Sequence, residues 1–294
     1  MKELVIISGK GGTGKTSITA SFAALANRPV ICDCDVDAAD LHLVLEPRIR
    51  ERHDFESGYE AIIRPADCTA CGVCADLCRF GAVGTRPTGR DVEYVIDPVA
   101  CDGCGVCVRF CPAAAIDFPQ RHSGQWFLSD TRCGPMVHAR LGIAAENSGK
   151  LVSTVRREAK QIAEKEDYNL ILVDGPPGIG CPVIASLTGA TAVLIVTEPT
   201  VSGEHDLERV LSLARHFQIP ASVCVNKWDL NPEMTRRIEE QARQSGAAVA
   251  GRIRYDGAVT RAQIQQKAVV EIDAPVAEDI RRLWRNLNIE GGAN

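Results

Sequence analysis

The sequence of 294 residues lacks the features that mark several protein classes. Its 33 basic side chains are outnumbered by 38 acidic ones, so a formal charge of −5 leaves no basic footprint for nucleic acid. No apolar run approaches the roughly 18 residues of a membrane span, and the N-terminus shows no signal-peptide layout. A C-terminal apolar stripe over Ile280–Leu287 is predicted to dock onto the protein itself. We therefore expect a cytoplasmic protein with no nucleic-acid partner and no membrane partner.

Aromatic residues are scarce, at 5% of the chain, but apolar residues make up 45%, which is ample for a core and excludes a disordered chain. Short apolar runs typical of buried strands alternate with helical periodicity. The runs are Leu4–Ile7, Val30–Cys32, Leu170–Val173, Ala192–Val196 and Ser222–Val225. This alternation predicts an α/β fold with a doubly wound, mostly parallel sheet. One helix, with apolar residues from Leu207 to Phe217, is predicted to begin after an N-cap at Ser202.

Cysteine is abundant, at 13 residues, and eight of them fall between Cys68 and Cys111. In a reducing compartment, clustered cysteines are typical of metal sites and not of disulfides. The alternation of strands and helices breaks over the same region, from about Tyr59 to Phe118. We therefore predict a small domain over 59–124 that is inserted into a body formed by 1–58 and 125–294.

The eight cysteines form two copies of C-x₂-C-x₂-C-x₃-C, the run found in bacterial ferredoxins with two [4Fe–4S] clusters. In those proteins the fourth cysteine of each run binds the other cluster. The predicted ligands are Cys68, Cys71, Cys74 and Cys111 for one cluster, and Cys101, Cys104, Cys107 and Cys78 for the other. Two Zn(Cys)₄ sites are the alternative, but zinc sites usually pair two separated C-x₂-C knuckles. The spacing favours a ferredoxin-like α+β insert.

A phosphate-binding loop follows the first predicted strand. Residues 9–16 fit G-x-x-x-x-G-K-[ST], and the helix-like stretch Ile18–Leu25 comes next. Glycines let backbone N–H groups surround phosphate at a helix N-terminus. Lys15 is predicted to contact the β- and γ-phosphates, and the Thr16 hydroxyl to hold Mg²⁺. The predicted phosphate-binding residues are Gly11, Gly12, Thr13, Gly14, Lys15, Thr16 and Ser17.

A second lysine, Lys10, completes a K-G-G-x-G-K-T sequence. This sequence resembles the deviant Walker A loop of the MinD/ParA/Mrp-type ATPases, a superfamily that includes the nitrogenase iron protein. The resemblance covers about 1–58 and 125–275. It implies a P-loop ATPase in which Lys10 crosses a dimer interface to the nucleotide of the partner chain. That partner is a second copy in a homodimer, or a related ATPase in a heterodimer.

The resemblance also assigns roles to three carboxylates at strand ends. Residues 31–35, I-C-D-C-D, are similar to the first switch, which implies that Asp33 lies in the Mg²⁺ shell and that Asp35 orients the attacking water. Leu170–Asp174, with the Gly-Pro-Pro-Gly that follows, is similar to the Walker B strand and second switch, which implies that Asp174 is catalytic. The C-terminal ends of parallel strands are where such sheets bind ligands.

The base-binding segment leaves the nucleotide open. Residues 226–229, N-K-W-D, match N-K-x-D, the guanine signature of GTPases, whereas in the MinD-like family an Asn at this strand end contacts adenine. Because the rest of the body resembles ATPases, ATP is the predicted nucleotide, with Asn226 and Lys227 at the base, and GTP is the alternative. Arg254 stands where the family commonly has a proline.

Together the motifs predict a slow, partner-stimulated ATPase that couples nucleotide state to electron transfer or to metal-cluster handling for a redox or metal-cluster protein partner. The implied cofactors are ATP, Mg²⁺ and two [4Fe–4S] clusters. Two alternatives come from other classes. One is an assembly scaffold that passes on its own clusters, and the other is a regulatory ATPase whose clusters sense redox state.

Overall fold

The structure, a computed structural model, describes residues 1–88, 91–142 and 148–289. The chain divides into two compact units. The first unit comprises Met1–His53, Gln125–Leu141 and Ser148–Asn294, and the second comprises Asp54–Gly124 and Gly142–Asn147. The domain bounds 1–58, 59–124 and 125–294 stay a prediction.

The strands are β1 Lys2–Ser8, β2 Val30–Asp33, β3 Arg48–Tyr59, β4 Ile62–Ile63, β5 Val83–Thr88, β6 Asp91–Ile96, β7 Ile116–Asp117, β8 Gln120–Asp130, β9 Pro135–Leu141, β10 Leu170–Pro177, β11 Ala192–Thr197, β12 Ala221–Asn226 and β13 Ala248–Ile253. The helices are α1 Lys15–Leu25, α2 Leu41–Leu45, α3 Val73–Leu77, α4 Val106–Phe110, α5 Ser148–Lys165, α6 Cys181–Leu187, α7 Val201–His216, α8 Pro232–Gln244, α9 Ala258–Ile264 and α10 Pro275–Leu287. Short 3₁₀ turns occur at Trp228–Leu230 and Val269–Glu271.

One large sheet has the strand order β13-β12-β11-β1-β10-β2-β9-β8-β3. Neighbouring strands from β13 to β9 are parallel, which confirms the predicted mostly parallel α/β sheet. The predicted apolar runs coincide with β1, β2, β10, β11 and β12. Strands β3, β8, β9 and β13 were not predicted, because charged residues or glycine interrupt their apolar pattern.

The core of the first unit is aliphatic and lies on both faces of the sheet. Strands β1 and β10 are buried along most of their length, and α10 packs against the same core through Ile280 and Leu283. Its Trp284 ring lies 4.8 Å from the ring of Phe22. The apolar stripe of α10 therefore docks onto the protein, as predicted. In the described parts of the chain, no helix is both long and apolar enough to cross a membrane.

Helix α7 begins differently from the prediction. Its N-cap is Thr200, whose hydroxyl accepts a hydrogen bond of 3.0 Å from the Gly203 N–H, and Ser202 already lies inside the helix. The predicted N-cap at Ser202 is therefore wrong by two residues. Thr200 takes the cap because its backbone is extended, with φ of −130°, which lets the side chain turn back towards the first turn.

The second unit is built from short elements. β4 pairs with β7 and β5 pairs with β6, both antiparallel. Helices α3 and α4 have five residues each, and each follows a glycine in the left-handed region, Gly72 and Gly105. This common geometry matches the repeat of the two cysteine runs. The hydrophobic cluster of this unit contains the buried side chains Ala61, Cys74 and Ile116, and Phe55, Ala82 and Ala115 are buried elsewhere in its described part.

Candidate functional site

The loop between β1 and α1 is fastened to the end of β12. Gly12 and Gly14 adopt left-handed φ values of 78° and 92°. A Cβ at Gly14 would lie 2.5 Å from Nδ2 of Asn226, so only glycine fits there. Asn226 Nδ2 donates a hydrogen bond of 2.8 Å to the carbonyl oxygen of Thr13. Asn226 therefore holds the phosphate-binding loop in place.

A cavity of about 740 Å³ opens above this loop, within the size range of small-molecule sites. It is lined by residues of the loop, of the segment after β2, of the end of β10 and of α9, namely Gly11, Gly12, Gly14, Lys15, Thr16, Ser17, Asp35, Asp37, Ala38, Asp40, Leu43, Val44, Pro176, Pro177, Pro182, Gln263 and Ile264. The structure thus brings most of the predicted phosphate-binding residues and Asp35 to one cavity. The other predicted residues of the nucleotide site lie outside its lining, namely Lys10, Thr13, Asp33, Asp174, Asn226 and Lys227.

Two buried carboxylates lie side by side at the base of this site. Asp33 and Asp174 are register partners on the parallel strands β2 and β10. The Thr16 hydroxyl donates to Asp174 Oδ2 at 2.8 Å, and the Thr19 hydroxyl donates to Oδ1 at 2.9 Å. Thr19 was not predicted, although it lies one helical turn after Lys15. In Asp33, Oδ2 is buried and has no hydrogen-bond partner.

Burial governs the charge of this pair. Desolvation raises the pKa of Asp33 well above its ordinary value, and the neighbouring Asp174 carboxylate raises it further. Desolvation also raises the pKa of Asp174, whereas Lys15 and the two threonine hydroxyls oppose that rise. Oxygen ligands of this kind suit Mg²⁺, because a divalent cation relieves the repulsion and gives the unpartnered oxygen a partner. The residues present therefore fit a Mg²⁺ ion.

Asp35 and Lys15 form the second charged pair of the cavity. The Lys15 ammonium is buried and lies 4.0 Å from Asp35 Oδ2. Desolvation raises the pKa of Asp35 to about 6, although Lys15 opposes the shift. From the other side of the cavity, Gln263 Nε2 donates to the Ser17 hydroxyl at 3.1 Å. Gln263 was not predicted, since no motif marks its position in α9.

The polar groups of residues 226–229, the predicted base-binding segment, bind other residues of the same chain. The Lys227 ammonium donates to Glu198 Oε1 at 2.5 Å, and Asp229 Oδ1 accepts the Tyr255 N–H at 2.7 Å. Arg254, at the position where a proline is common, forms a bidentate ion pair with the buried carboxylate of Asp279.

In the second unit, one set of thiols faces a common cavity. Cys68, Cys71, Cys74 and Cys111 all line it, together with apolar residues such as Ile63 and Ile116. Cys68 Sγ accepts a hydrogen bond from Ala70 N–H at 3.4 Å, and Cys111 Sγ accepts one from Ala115 N–H at 3.3 Å. The four cysteines are those predicted for one cluster.

The other predicted set does not line this cavity, although Cys101 and Cys104 lie near enough to Cys107 to add to the rise in its pKa that burial causes. Cys101 and Cys107 pack against the small core of the unit, and Cys104 is exposed. Although desolvation opposes it, hydrogen bonds from the backbone N–H groups of residues 80–83 lower the pKa of Cys78. Within residues 1–88, 91–142 and 148–289, no group of three or more His, Cys, Asp or Glu side chains is arranged to hold a metal ion.

Five further cysteines lie in the first unit. Cys32, Cys34 and Cys224 are buried, Cys133 is half-buried and Cys181 is exposed. The pKa of the Cys224 thiol is raised by burial, as expected for a core residue.

Comparison with known proteins places this geometry in a family. Residues 4–269 match the family model described as the CobQ/CobB/MinD/ParA nucleotide binding domain. The chain belongs to this family. Since the model spans most of the chain, the resemblance of the body to the MinD/ParA-type P-loop ATPases is confirmed.

Individual relatives agree with that placement. An uncharacterized protein of Methanocaldococcus jannaschii is 33% identical over 234 residues, which cover 78% of this chain and 79% of that protein. The structure of the septum site-determining protein MinD from Pyrococcus horikoshii, complexed with Mg-ADP, has the same fold, with a TM-score of 0.59 and 16% identity, covering 99% of this chain and 97% of that one. An uncharacterized ferredoxin of M. jannaschii is 46% identical over 37 residues, 13% of this chain and 60% of that protein.

Proposed function

We propose that this protein binds and hydrolyses ATP and couples its nucleotide state to electron transfer through two [4Fe–4S] clusters held by the second unit. The observation that carries the proposal is the cavity shared by Cys68, Cys71, Cys74 and Cys111, in a chain whose other unit has a P-loop with two buried carboxylates beside it. The short match to a ferredoxin and the similarity to a MinD complexed with Mg-ADP support the two halves of the proposal.

For hydrolysis, the chain supplies charges at fixed places. The loop N–H groups and Lys15 bind the phosphates, which requires Lys15 to leave Asp35. A bound Mg²⁺ would neutralise part of the charge of the phosphates. Thr16 and Asp33 are its proposed ligands, and Asp174 orients Thr16. Asp35, released from Lys15, accepts a hydrogen bond from water and orients it toward the γ-phosphate.

Adenine fits the base segment better than guanine. In an N-K-x-D site the Asp recognises guanine, but here Asp229 Oδ1 already accepts the Tyr255 N–H and Lys227 is bound to Glu198. Asn226 is bound to Thr13, a contact that bears equally on adenine and on guanine. A guanine would have to compete with these contacts. We therefore propose ATP, and competition between ATP and GTP in a binding assay tests the choice.

The thiols fit iron–sulfur clusters by donor type and spacing. Four cysteine sulfurs with ferredoxin spacing line one cavity, and backbone N–H groups donate to two of them. Cys101, Cys104, Cys107 and Cys78 are the proposed ligands of the second cluster. When bound, such clusters store and transfer single electrons. The residues 59–124 are proposed to form a ferredoxin-like insert in the ATPase body.

The proposed coupling follows from chain order. Residues 59–124 lie in the sequence between Asp35, which lines the cavity, and Asp174, which accepts a hydrogen bond from Thr16. If nucleotide and electron binding are coupled by a typical factor of roughly 5 to 150, the cluster potentials shift by about 40–130 mV. The proposed working form is a dimer, with a second copy or a related ATPase, which acts on a redox or metal-cluster protein in the cytoplasm.

A redox titration tests this proposal. The cluster potentials of the anoxic protein are measured without nucleotide, with ADP and with a slowly hydrolysed ATP analogue. We expect a shift of at least about 40 mV between two of these states. Lys15→Ala, which loses the phosphate contact, is the control that should show no shift. Potentials that agree within about 10 mV in the native chain would overturn the coupling, and clusters that transfer readily to an apo-protein would favour the scaffold alternative.

A further inference from the structure

The side chain of Arg132 binds two segments of the first unit that are far apart in the sequence. Arg132 lies in the turn between β8 and β9, and its Nη1 donates to the Val44 carbonyl oxygen at 3.0 Å. Its Nε donates to Glu271 Oε1 at 2.9 Å, and Nη2 donates to Glu271 Oε2 at 2.6 Å. Nη2 also donates to the Gln266 carbonyl oxygen at 3.3 Å. We call these contacts the Arg132 brace.

The turn that carries Arg132 is fixed by its own hydrogen bonds. The Thr131 hydroxyl accepts the N–H of Cys133 at 3.1 Å and that of Gly134 at 3.2 Å. The same hydroxyl donates to the Gly134 carbonyl oxygen at 2.7 Å. A Cβ at Gly134 would lie 2.2 Å from the carbonyl oxygen of Pro29, so the turn packs closely on the start of β2. The backbone of Arg132 is therefore held in place.

The brace joins two walls of the proposed nucleotide cavity. Val44 lies in α2 and lines the cavity together with its neighbour Leu43. Gln266 follows α9, and Gln263 and Ile264 at the end of α9 line the cavity as well. The brace therefore ties α2 to the end of α9.

Helix α2 needs such a tie because it is short. It has five residues, Leu41–Leu45, and a helix of this length is not stable by itself in water. The carbonyl groups of a last helical turn have no partner within the helix, and Arg132 supplies a donor to that of Val44. Packing of its buried side chains holds α2 on the core, and the brace fixes it relative to α9.

Glu271 has a second contact that orients its carboxylate. Its Oε2 also accepts the Ala268 N–H at 2.6 Å. Hydrogen bonds from Arg132 lower the pKa of Glu271, although burial opposes the shift, so the carboxylate stays charged at neutral pH. The Arg132 and Glu271 side chains are 34% and 30% exposed, so the pair contributes modestly to stability. The planar guanidinium binds two carboxylate oxygens at once, which the single ammonium of a lysine cannot do.

We propose that Arg132 is a positioning residue for nucleotide binding, which keeps the α2 and α9 walls of the cavity at the separation that a nucleotide requires. The inference rests on the proposed function, because that function places ATP in this cavity. Arg132 does not line the cavity and therefore acts through the walls. When the walls are in place in only a fraction of the chains, the apparent dissociation constant of the nucleotide rises by the inverse of that fraction.

The expected loss of affinity has two levels. Glu271→Gln breaks the ion pair and leaves the contacts of Arg132 with the carbonyl oxygens, so the dissociation constant should rise about 1.4- to 5-fold. Arg132→Ala removes all contacts of the brace, so the rise should be about 5- to 30-fold. Arg132→Lys keeps the charge and loses the planar geometry. Its affinity should lie between that of Arg132→Ala and that of the native chain.

Arg156 provides a matched control in the same unit, because it also binds one carboxylate and two carbonyl oxygens. Its Nε donates to Glu3 Oε1 at 2.8 Å. Its Nη1 donates to the carbonyl oxygens of Ala185 and Thr188 at 2.6 and 2.9 Å. The Arg156 side chain is 11% exposed, so its loss should destabilise the fold at least as much as loss of Arg132. Neither Arg156 nor these partners line the cavity, so Arg156→Ala should leave nucleotide affinity unchanged.

The first test follows the two walls without nucleotide. Amide hydrogen exchange of the full chain, purified anoxically, is compared with that of Arg132→Ala and Arg156→Ala by mass spectrometry. In Arg132→Ala, exchange should rise in residues 41–46 and 258–271, because these segments lose their tie. In Arg156→Ala it should stay native in both segments. Unchanged exchange of both segments in Arg132→Ala would overturn the proposal.

The second test separates binding from chemistry. Calorimetric titration with ADP and with a slowly hydrolysed ATP analogue gives the dissociation constants of the native chain and of the four variants. The rate of hydrolysis at saturating ATP should stay within about 2-fold of the native rate in Arg132→Lys and Glu271→Gln, because only binding is affected. A large loss of this rate with native affinity would refute the positioning role. An equal loss of affinity in Arg156→Ala would refute it too, since the cause would then be lower stability.

The same titrations distinguish failure of this inference from failure of the proposed function. If the native chain binds neither ADP nor the ATP analogue, the proposed function is wrong and this inference is wrong with it. If the native chain binds nucleotide and Arg132→Ala binds it equally well, the proposed function stands and the inference alone is wrong. If Arg132→Ala does not fold, the milder variants decide, and native affinity in both Glu271→Gln and Arg132→Lys would overturn the inference.

Discussion

The two units of this protein prepare their proposed sites in opposite ways. The proposed nucleotide site lies on a large aliphatic core, where Thr16 and Thr19 hold the Asp174 carboxylate and Asn226 holds the backbone of the phosphate-binding loop. The second unit has only small groups of buried apolar side chains in its described part, three of them in its hydrophobic cluster, and most of its predicted ligand thiols are partly or fully exposed. A unit of this size with so small a core usually needs a metal or a cross-link for stability. Packing of the core therefore keeps the site of the first unit in place. The second unit is expected to depend on its bound metal clusters for a stable fold.

The largest expected effect is loss of the metal from the second unit. We expect about eight iron and eight sulfide per chain in anoxically purified protein, and about half of each in Cys74→Ser. Removal of iron by chelator should raise amide hydrogen exchange throughout residues 54–124, because ligand binding and folding are linked there. Exchange in β1 and β10 should not change, since their core is independent of the thiols. Metal analysis and exchange mass spectrometry measure both.

The control for this prediction is Cys133→Ser, a half-buried cysteine of the first unit that is outside both runs. It should keep the full iron content. Stoichiometric zinc without sulfide in the purified protein would contradict the iron–sulfur assignment. If hydrogen exchange in residues 54–124 does not change after complete iron removal, the small core of the second unit is sufficient to keep it folded. The two units would then not differ in how they are stabilised.

The second prediction concerns chemistry in the first unit. Asp35→Ala should bind ATP, through Lys15 and the loop, but hydrolyse it about 10²- to 10³-fold more slowly, because the water loses its orienting carboxylate. Asp37→Ala, an exposed neighbour that also lines the cavity, should keep normal hydrolysis. Iron content should stay the same in both variants. Steady-state hydrolysis and an ATP-binding assay measure these two effects. A normal rate of hydrolysis in Asp35→Ala would show that Asp35 does not orient the attacking water.

The parts of this molecule that have local sequence signatures could be predicted from the sequence. Residues 9–16 predict the phosphate-binding loop because the motif needs adjacent residues in one turn, and the apolar runs predict the central strands for the same reason. Thr19 and Glu198 were missed, because their roles depend on which strand lies beside which. Asp174 and Asp33 are neighbours because β10 and β2 are adjacent in the sheet. Lys10 contacts Glu198, which is 188 residues away in the sequence, because the phosphate-binding loop packs on α7. The spacing of residues in the sequence does not predict such contacts between distant residues.

The third prediction follows from the pKa of Asp35, which is raised from about 3.8 to about 6. Between these two values the folded chain binds more protons than the unfolded one, so stability falls as the pH rises, and the full cost is present above pH 6. Asp35→Asn should therefore raise the free energy of unfolding at pH 7.5 by at most about 3 kcal/mol, and by much less at pH 4. Denaturant titrations at the two pH values measure this. A variant that is less stable than the native chain at pH 7.5 would contradict the cause given for the shift.

The smallest expected effect comes from the second unit. Ser57 is 5% exposed and its hydroxyl has no hydrogen-bond partner, whereas the hydroxyl of Ser123 donates to the Ser57 carbonyl oxygen at 2.8 Å. Ser57→Ala removes a desolvated group without breaking a bond, so the unit should gain up to about 1 kcal/mol or stay the same. Ser123→Ala should cost about 1 kcal/mol, because it leaves the buried carbonyl oxygen of Ser57 without its donor.

These two variants bear on the comparison between the units, since Asp33 Oδ2 is also buried without a partner. The unpartnered oxygen of Asp33 belongs to a carboxylate whose strand neighbour is Asp174, and a divalent cation fits this pair, so Asp33→Asn should abolish the Mg²⁺ dependence of ATP binding. At Ser57 the unpartnered atom is an uncharged hydroxyl with no second acidic group paired to it, so stability alone should respond. Hydrogen exchange of residues 54–124 in the iron-loaded protein measures that response. If Ser57→Ala lowers local stability by more than about 1 kcal/mol, the Ser57 hydroxyl forms a hydrogen bond in solution and is not an unpartnered group.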